Sequence, residues 1–202
     1  MKRQFIVIHA FFAIISLAFW YYNPTGPGLI WNIFLATLAF DFSYLACSIK
    51  NRWLKPFFML GWFIFYPNTF YMLTDLVHMS FVTDILNDRL SFMHYIIYMS
   101  SILLALILGV LSVRYTLLIL RVRHWFWFYL YIIGLSFISS LAIHLGRFAR
   151  LNSWDVFANP SLVYRELLEI FSYSEIHFIL GFTFIQTMCL LLLAERTNDF
   201  FK

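Results

Sequence analysis

Six near-continuous apolar stretches, each about as long as a bilayer is thick, constrain this fold more than any short motif. They run approximately over residues 5–22, 29–47, 56–78, 92–113, 125–145 and 176–194. A helix rising 1.5 Å per residue needs about 20 apolar residues to cross some 30 Å of hydrocarbon. Barrel strands would instead alternate apolar and polar residues. The pattern predicts an all-α polytopic membrane protein, a bundle of six transmembrane helices forming a single transmembrane domain over residues 1–202. Composition supports this, because only 12% of the residues are charged and 62% are hydrophobic. A soluble domain carries about 25% charged residues, so this chain has too little charge to cover a water-facing surface.

Local signals mark the ends of the stretches. Met1-Lys2-Arg3 before the first stretch resembles the basic start of a signal peptide. The apolar run is too long, however, and ends at Trp20-Tyr21-Tyr22 with no small-residue cleavage site. It is read as a retained helix with an aromatic belt. Pro24, Gly26, Pro27 and Gly28 form turn punctuation. Pro67 removes a backbone donor and predicts a kink in the third helix. Between the fifth and sixth helices, Gly146 to Glu175 predicts a helical or irregular outer segment, with helical periodicity over 161–173. Cys47 and Cys189 lie inside apolar runs and form no spacing motif, so they read as small hydrophobes.

The basic residues predict orientation. Lys2, Arg3, Lys50, Arg52, Lys55, Arg114, Arg121, Arg123, Arg196 and Lys202 fall on one side of a six-helix topology, and Arg89, Arg147, Arg150 and Arg165 on the other. Positive charge is retained in the cytoplasm, so both termini are expected to be cytoplasmic, in a plasma membrane. The net charge of +4 is spread over short loops rather than gathered in a patch, which argues against a nucleic-acid partner. The expected surroundings are the lipid bilayer, with a membrane-protein partner or a small polar ligand.

The polar residues sort to the outer side. Drawn on a continuous helix at about 100° per residue, Asn68, Tyr71, Asp75 and His78 share one face. His94, His144 and His177 map to the same membrane side from three other helices. Further stripes are His94, Tyr98, Ser101, Ala105, Gly109 and Ser112; Ser136, Ser140, His144 and Arg147; and Asn32, Ala36, Ala39 and Ser43. Small and hydroxylated residues line helix contacts simply because they permit close approach. Ionisable groups in a membrane are costly and usually face a cavity or a partner. Asp75, His78, His94, His144 and His177 are therefore candidate ligands for a divalent metal such as zinc, with Asp75 and His78 spaced i, i+3. Asp75, His78 and His144 are the candidate catalytic groups. The alternative is that these side chains fasten the outer helix ends together.

Arg147 and Arg150, three apart, suit a phosphate or carboxylate, while Trp154 suits the interface. With Asn32, Asn68, Tyr71, Asp75, His78 and Asp155 they complete the candidate ligand-binding set. Asp41 is the isolated charge of the second helix, with His9 at a broadly similar depth and Gln186 near mid-membrane. An Asp41–His9 pair would be a candidate proton relay, or a tie between helices.

Trp31-Asn32-Ile33-Phe34-Leu35-Ala36, Pro67-Asn68-Thr69-Phe70-Tyr71 and Thr74-Asp75-Leu76-Val77-His78 occur in order. Gly146-Arg147-Phe148, Asn152-Ser153-Trp154-Asp155 and Asn159-Pro160 follow them. Together they resemble the bacterial integral membrane proteins grouped as domain of unknown function 1361. The resemblance covers about Leu29 to Cys189 and implies a polytopic membrane protein with no assigned activity. Three functions stay open: an outward polar site for a polar or envelope-derived ligand, a metal-dependent hydrolase or transferase acting on a lipid or envelope substrate, and a structural part of a membrane complex.

Overall fold

The computed structural model describes residues 2–24, 28–81, 88–149, 158–169 and 173–194. Those residues are helical throughout their regular structure. The helices are α1 (Lys2–Tyr22), α2 (Leu29–Ser48), α3 (Lys55–Phe65) and α4 (Pro67–Tyr71), followed by a 3-10 segment (Met72–Phe81). Then come α5 (Arg89–Leu120), α6 (Trp125–Phe148), α7 (Pro160–Glu169) and α8 (Tyr173–Leu193). Among the described residues, five helices are long and apolar enough to cross a membrane: α1, α2, α5, α6 and α8. A helical membrane protein is thus what the structure presents.

The 56–78 stretch differs from the single helix that its apolar run predicts. The α-helical ladder breaks at Tyr66, where Pro67 has no N–H to offer. Side chains just past the proline bond to carbonyls one turn back. Asn68 Nδ2 donates to the Phe65 oxygen (3.1 Å) and Thr69 Oγ1 to the Tyr66 oxygen (2.8 Å). Beyond Met72 the turn tightens to 3-10 geometry, and Thr74 Oγ1 donates to the Tyr71 oxygen (2.7 Å). Three-residue turns advance 120° per residue rather than 100°, so Asn68, Tyr71, Asp75 and His78 do not form the single α-helical stripe drawn from the sequence.

Helix α5 is the centre of the bundle. Of its most apolar stretch 61% is buried, against 6% for α1 and 17% for α8. One half of the core joins α5 to α1 and α2 through Ile33, Ala36, Phe40, Tyr98, Ile102, Ala105 and Leu108. The other joins it to α3, α4, α6 and α8 through Trp62, Tyr66, Phe70, Val113, Leu117, Ile132, Ile143 and Leu190. The stripe Tyr98, Ser101, Ala105, Ser112 is buried as the small-residue pattern expects. Gly109 lets α4 lie directly on α5, since a Cβ there would stand 2.7 Å from Thr69 Oγ1 and 3.0 Å from Phe70 Cε2. Trp62 Nε1 donates to Ser112 Oγ (3.1 Å) one turn away. The outer faces of α1 and α8 leave Ile6, Phe11, Ile14, Leu17, Leu180, Phe184 and Leu192 exposed, the surface that lipid would cover.

Helix α5 is longer at both ends than the expected 92–113. Asp88 caps its start, accepting from the Ser91 N–H (2.7 Å). Its end is set by Arg121 in the left-handed conformation (φ 53°, ψ 41°), with no glycine to mark the stop. At about 1.5 Å per residue, its 32 residues run some 48 Å, beyond the hydrocarbon core.

Candidate functional site

The packing of α4 on Gly109 aims the following 3-10 segment along α5 toward Tyr98. Asp75 sits in that segment, only 1% exposed. Asn32, in the first turn of α2, donates through Nδ2 to Asp75 Oδ2 (2.9 Å). Two of the sequence candidates, 43 residues apart, are therefore brought together. A carboxylate taken into an apolar bundle loses its water, a penalty of several kcal/mol that only good donors offset. An amide donor from a separate helix is one such compensation, and it ties α2 to the 3-10 segment.

Tyr71 is half-buried at the end of α4. His78 lies in the 3-10 segment. His94 donates through Nε2 to the Tyr22 carbonyl (3.2 Å), closing α5 onto the end of α1. His177 is exposed in the first turns of α8, and Arg147 is in the last turn of α6. Arg150, Trp154 and Asp155 lie outside the described residues, as does the side chain of His78. Among the described residues, no group of three or more His, Cys, Asp or Glu is placed to hold a metal ion.

His144 has a partner that the sequence reading did not assign. Its Nε2 lies 2.5 Å from Glu175 Oε2, so one proton lies between the imidazole and the carboxyl of α8. The ring packs against Phe148 and Phe178, and its Nδ1 is buried with no hydrogen-bond partner among the described residues. The helical stripe Ser136–Ser140–His144 was legible. Glu175 is legible only as the end of the outer segment, and nothing in its local sequence indicates the pairing.

The same stripe meets Gln186 of α8. Gln186 Nε2 donates to Ser140 Oγ (2.8 Å) and to the Ser136 carbonyl (3.3 Å), and the residue is 0% exposed. Gln186 Oε1, Ser136 Oγ, Ser139 Oγ, His144 Nδ1, Thr183 Oγ1 and Thr187 Oγ1 are buried without a hydrogen-bond partner among the described residues. An unsatisfied buried polar atom costs about 1–3 kcal/mol.

On the other side of the bundle, His9 and Asp41 do meet. His9 Nδ1–H donates to the Phe5 carbonyl (2.9 Å), which leaves Nε2 facing Asp41 Oδ2 at 3.4 Å. With Nδ1–H committed, Nε2 is the ring nitrogen turned to the carboxyl. Phe5 stacks beside His9 and Tyr44, so the pair sits at the edge of an aromatic cluster.

No curated protein and no solved structure matches the chain. The sequence model of the family described as "Protein of unknown function (DUF1361)" matches residues 31–189, and this chain, matched over more than half its length, belongs to that family.

Proposed function

We propose that this protein crosses the plasma membrane six times, with both termini cytoplasmic, and presents a polar site around Asp75 to the outside for a polar or envelope-derived ligand. The remaining span is the run α3–α4–3-10, kinked at Pro67. Eleven, five and ten residues at 1.5 or 2.0 Å each, with Tyr66 between the first two helices, give about 45 Å, ample for a core of about 30 Å. The observation that carries the reading is the burial of Asp75 against Asn32, the one fully buried acid among the described residues. An acid kept at such a place is expensive, and function is the ordinary reason for keeping one. Asn68, Tyr71, His78 and the segment from Arg147 to Asp155 complete the polar end in this reading.

The test is native mass spectrometry of protein extracted from its own membranes, comparing wild type with Asp75→Asn. An adduct retained by wild type and lost from a variant that melts normally is the expected result. Identical adduct patterns in the two would refute a ligand site at Asp75.

A further inference from the structure

The geometry points to a hydrated half-channel between α6 and α8, a site whose ligand is a file of water molecules opening at the His144–Glu175 pair. It does not depend on the Asp75 site. Six buried polar atoms without a partner among the described residues fall on these two packed helices: Ser136 Oγ, Ser139 Oγ and His144 Nδ1 on α6, and Thr183 Oγ1, Gln186 Oε1 and Thr187 Oγ1 on α8. Helix hydroxyls ordinarily bond a carbonyl one turn back, as Ser140 does to Ser136. The four unpartnered hydroxyls here do not. Buried polar groups are ordinarily satisfied, and a polar lining with several donors and acceptors is what a buried water needs. Gln186 fixes the centre, because its Nε2 bonds to Ser140 and turns the whole amide into the interface.

The seam has an open and a closed end. Glu175 is 34% exposed and joins His144, which is 7% exposed, so solvent reaches the first member of the row. At the other end, Tyr66, whose hydroxyl is buried without a partner, lies beside Tyr131 and Cys189. Tyr131 is hydrogen-bonded to Thr116 (2.7 Å). His144 and Tyr131 are thirteen residues apart on α6, about 20 Å along a core of some 30 Å. The titratable groups along this row are His144, Glu175, Tyr66, Tyr131 and Cys189.

The chain contains two glutamines, Gln4 and Gln186. That makes the test simple: full-length protein with 15N-labelled glutamine in lipid vesicles, read by water-to-protein magnetisation transfer in solid-state NMR. Gln4 is exposed and serves as the internal control, and Gln186→Leu assigns the second signal. Water transfer to both side-chain amides is expected, with a several-fold loss at Gln186 alone in the Ser139→Ala/Thr183→Val double variant. Transfer to Gln4 only would overturn the half-channel. Transfer to Gln186 that the double variant leaves unchanged would overturn its assignment to this seam.

Discussion

Placing a methyl group at Gly109 tests whether α4, and with it Asp75, is seated on α5 as described. A Cβ there would stand 2.7 Å from Thr69 Oγ1, 3.0 Å from Thr69 Cβ and 3.0 Å from Phe70 Cε2. Neither neighbour gives way easily. Thr69 is fully buried and its hydroxyl is held by the Tyr66 carbonyl, while Phe70 is fully buried in the core. Overpacking at such a point costs about 1–3 kcal/mol. Alanine also improves on glycine inside a helix by roughly 0.5–1 kcal/mol, which blurs the sign of Gly109→Ala alone. Gly134, inside α6, removes the ambiguity, because a Cβ there meets nothing within 4 Å. Gly134→Ala is expected to gain the propensity term without a clash. The difference between the two variants therefore isolates the clash, about 1–3 kcal/mol against Gly109→Ala. Unfolding in detergent, by heat or by SDS titration, measures it. Equal stabilities for the two variants would refute the close α4–α5 contact and the path it gives to the 3-10 segment.

Further outcomes follow from single contacts. Asn32→Leu removes a donor from a fully buried carboxylate and is expected to destabilise by about 1–3 kcal/mol, with part recovered in Asn32→Leu/Asp75→Leu, measured by the same unfolding titration. Trp62→Phe loses the bond to Ser112 and is expected to cost about 0.5–1.5 kcal/mol, and Ser112→Ala should add less on top of it than it costs alone. Asp88 titrates below the usual carboxylate range because the Ser91 N–H donates to it. A carboxylate with a depressed folded pKa stabilises above its unfolded value, near 3.9, and loses that contribution as pH falls through the folded one. The stability gap between wild type and Asp88→Asn should therefore narrow below about pH 3.9, and a gap constant through acid would contradict the cap.

Much of this architecture was legible because lipid imposes a simple rule. Long apolar runs marked α1, α2, α5, α6 and α8, and small residues at helical spacing marked the buried faces of α2, α5 and α6. Pro67 announced a break in the ladder. What could not be read was how the backbone recovers from it: the Thr69 and Thr74 hydroxyls and the Asn68 amide bind carbonyls at i−3, and the chain then tightens into 3-10 turns. That changes the angular step beyond Met72, so the spacing of Asp75 and His78 relative to Asn68 departs from a stripe drawn at about 100° per residue. The ends of α5 were missed for a related reason. Asp88 is an ordinary cap, but the stop at Arg121 uses a left-handed residue without glycine. Long-range pairs were readable only where depth alone decides. His9 and Asp41 sit at similar depths on consecutive helices, and they meet. Glu175 and His144 are 31 residues apart across a segment of irregular length, so their meeting depends on tertiary packing.

The outward placement of Asp75 is tested most directly by paired reporter fusions. Alkaline phosphatase, active only outside the cytoplasm, and green fluorescent protein, fluorescent only inside it when exported by this route, are each joined after Asp88 and after Lys202. Phosphatase activity without fluorescence after Asp88, and fluorescence without phosphatase activity after Lys202, are the expected results for six spans with an outer Asp75. Fluorescence after Asp88 would put Asp75 on the cytoplasmic side and contradict the proposed site.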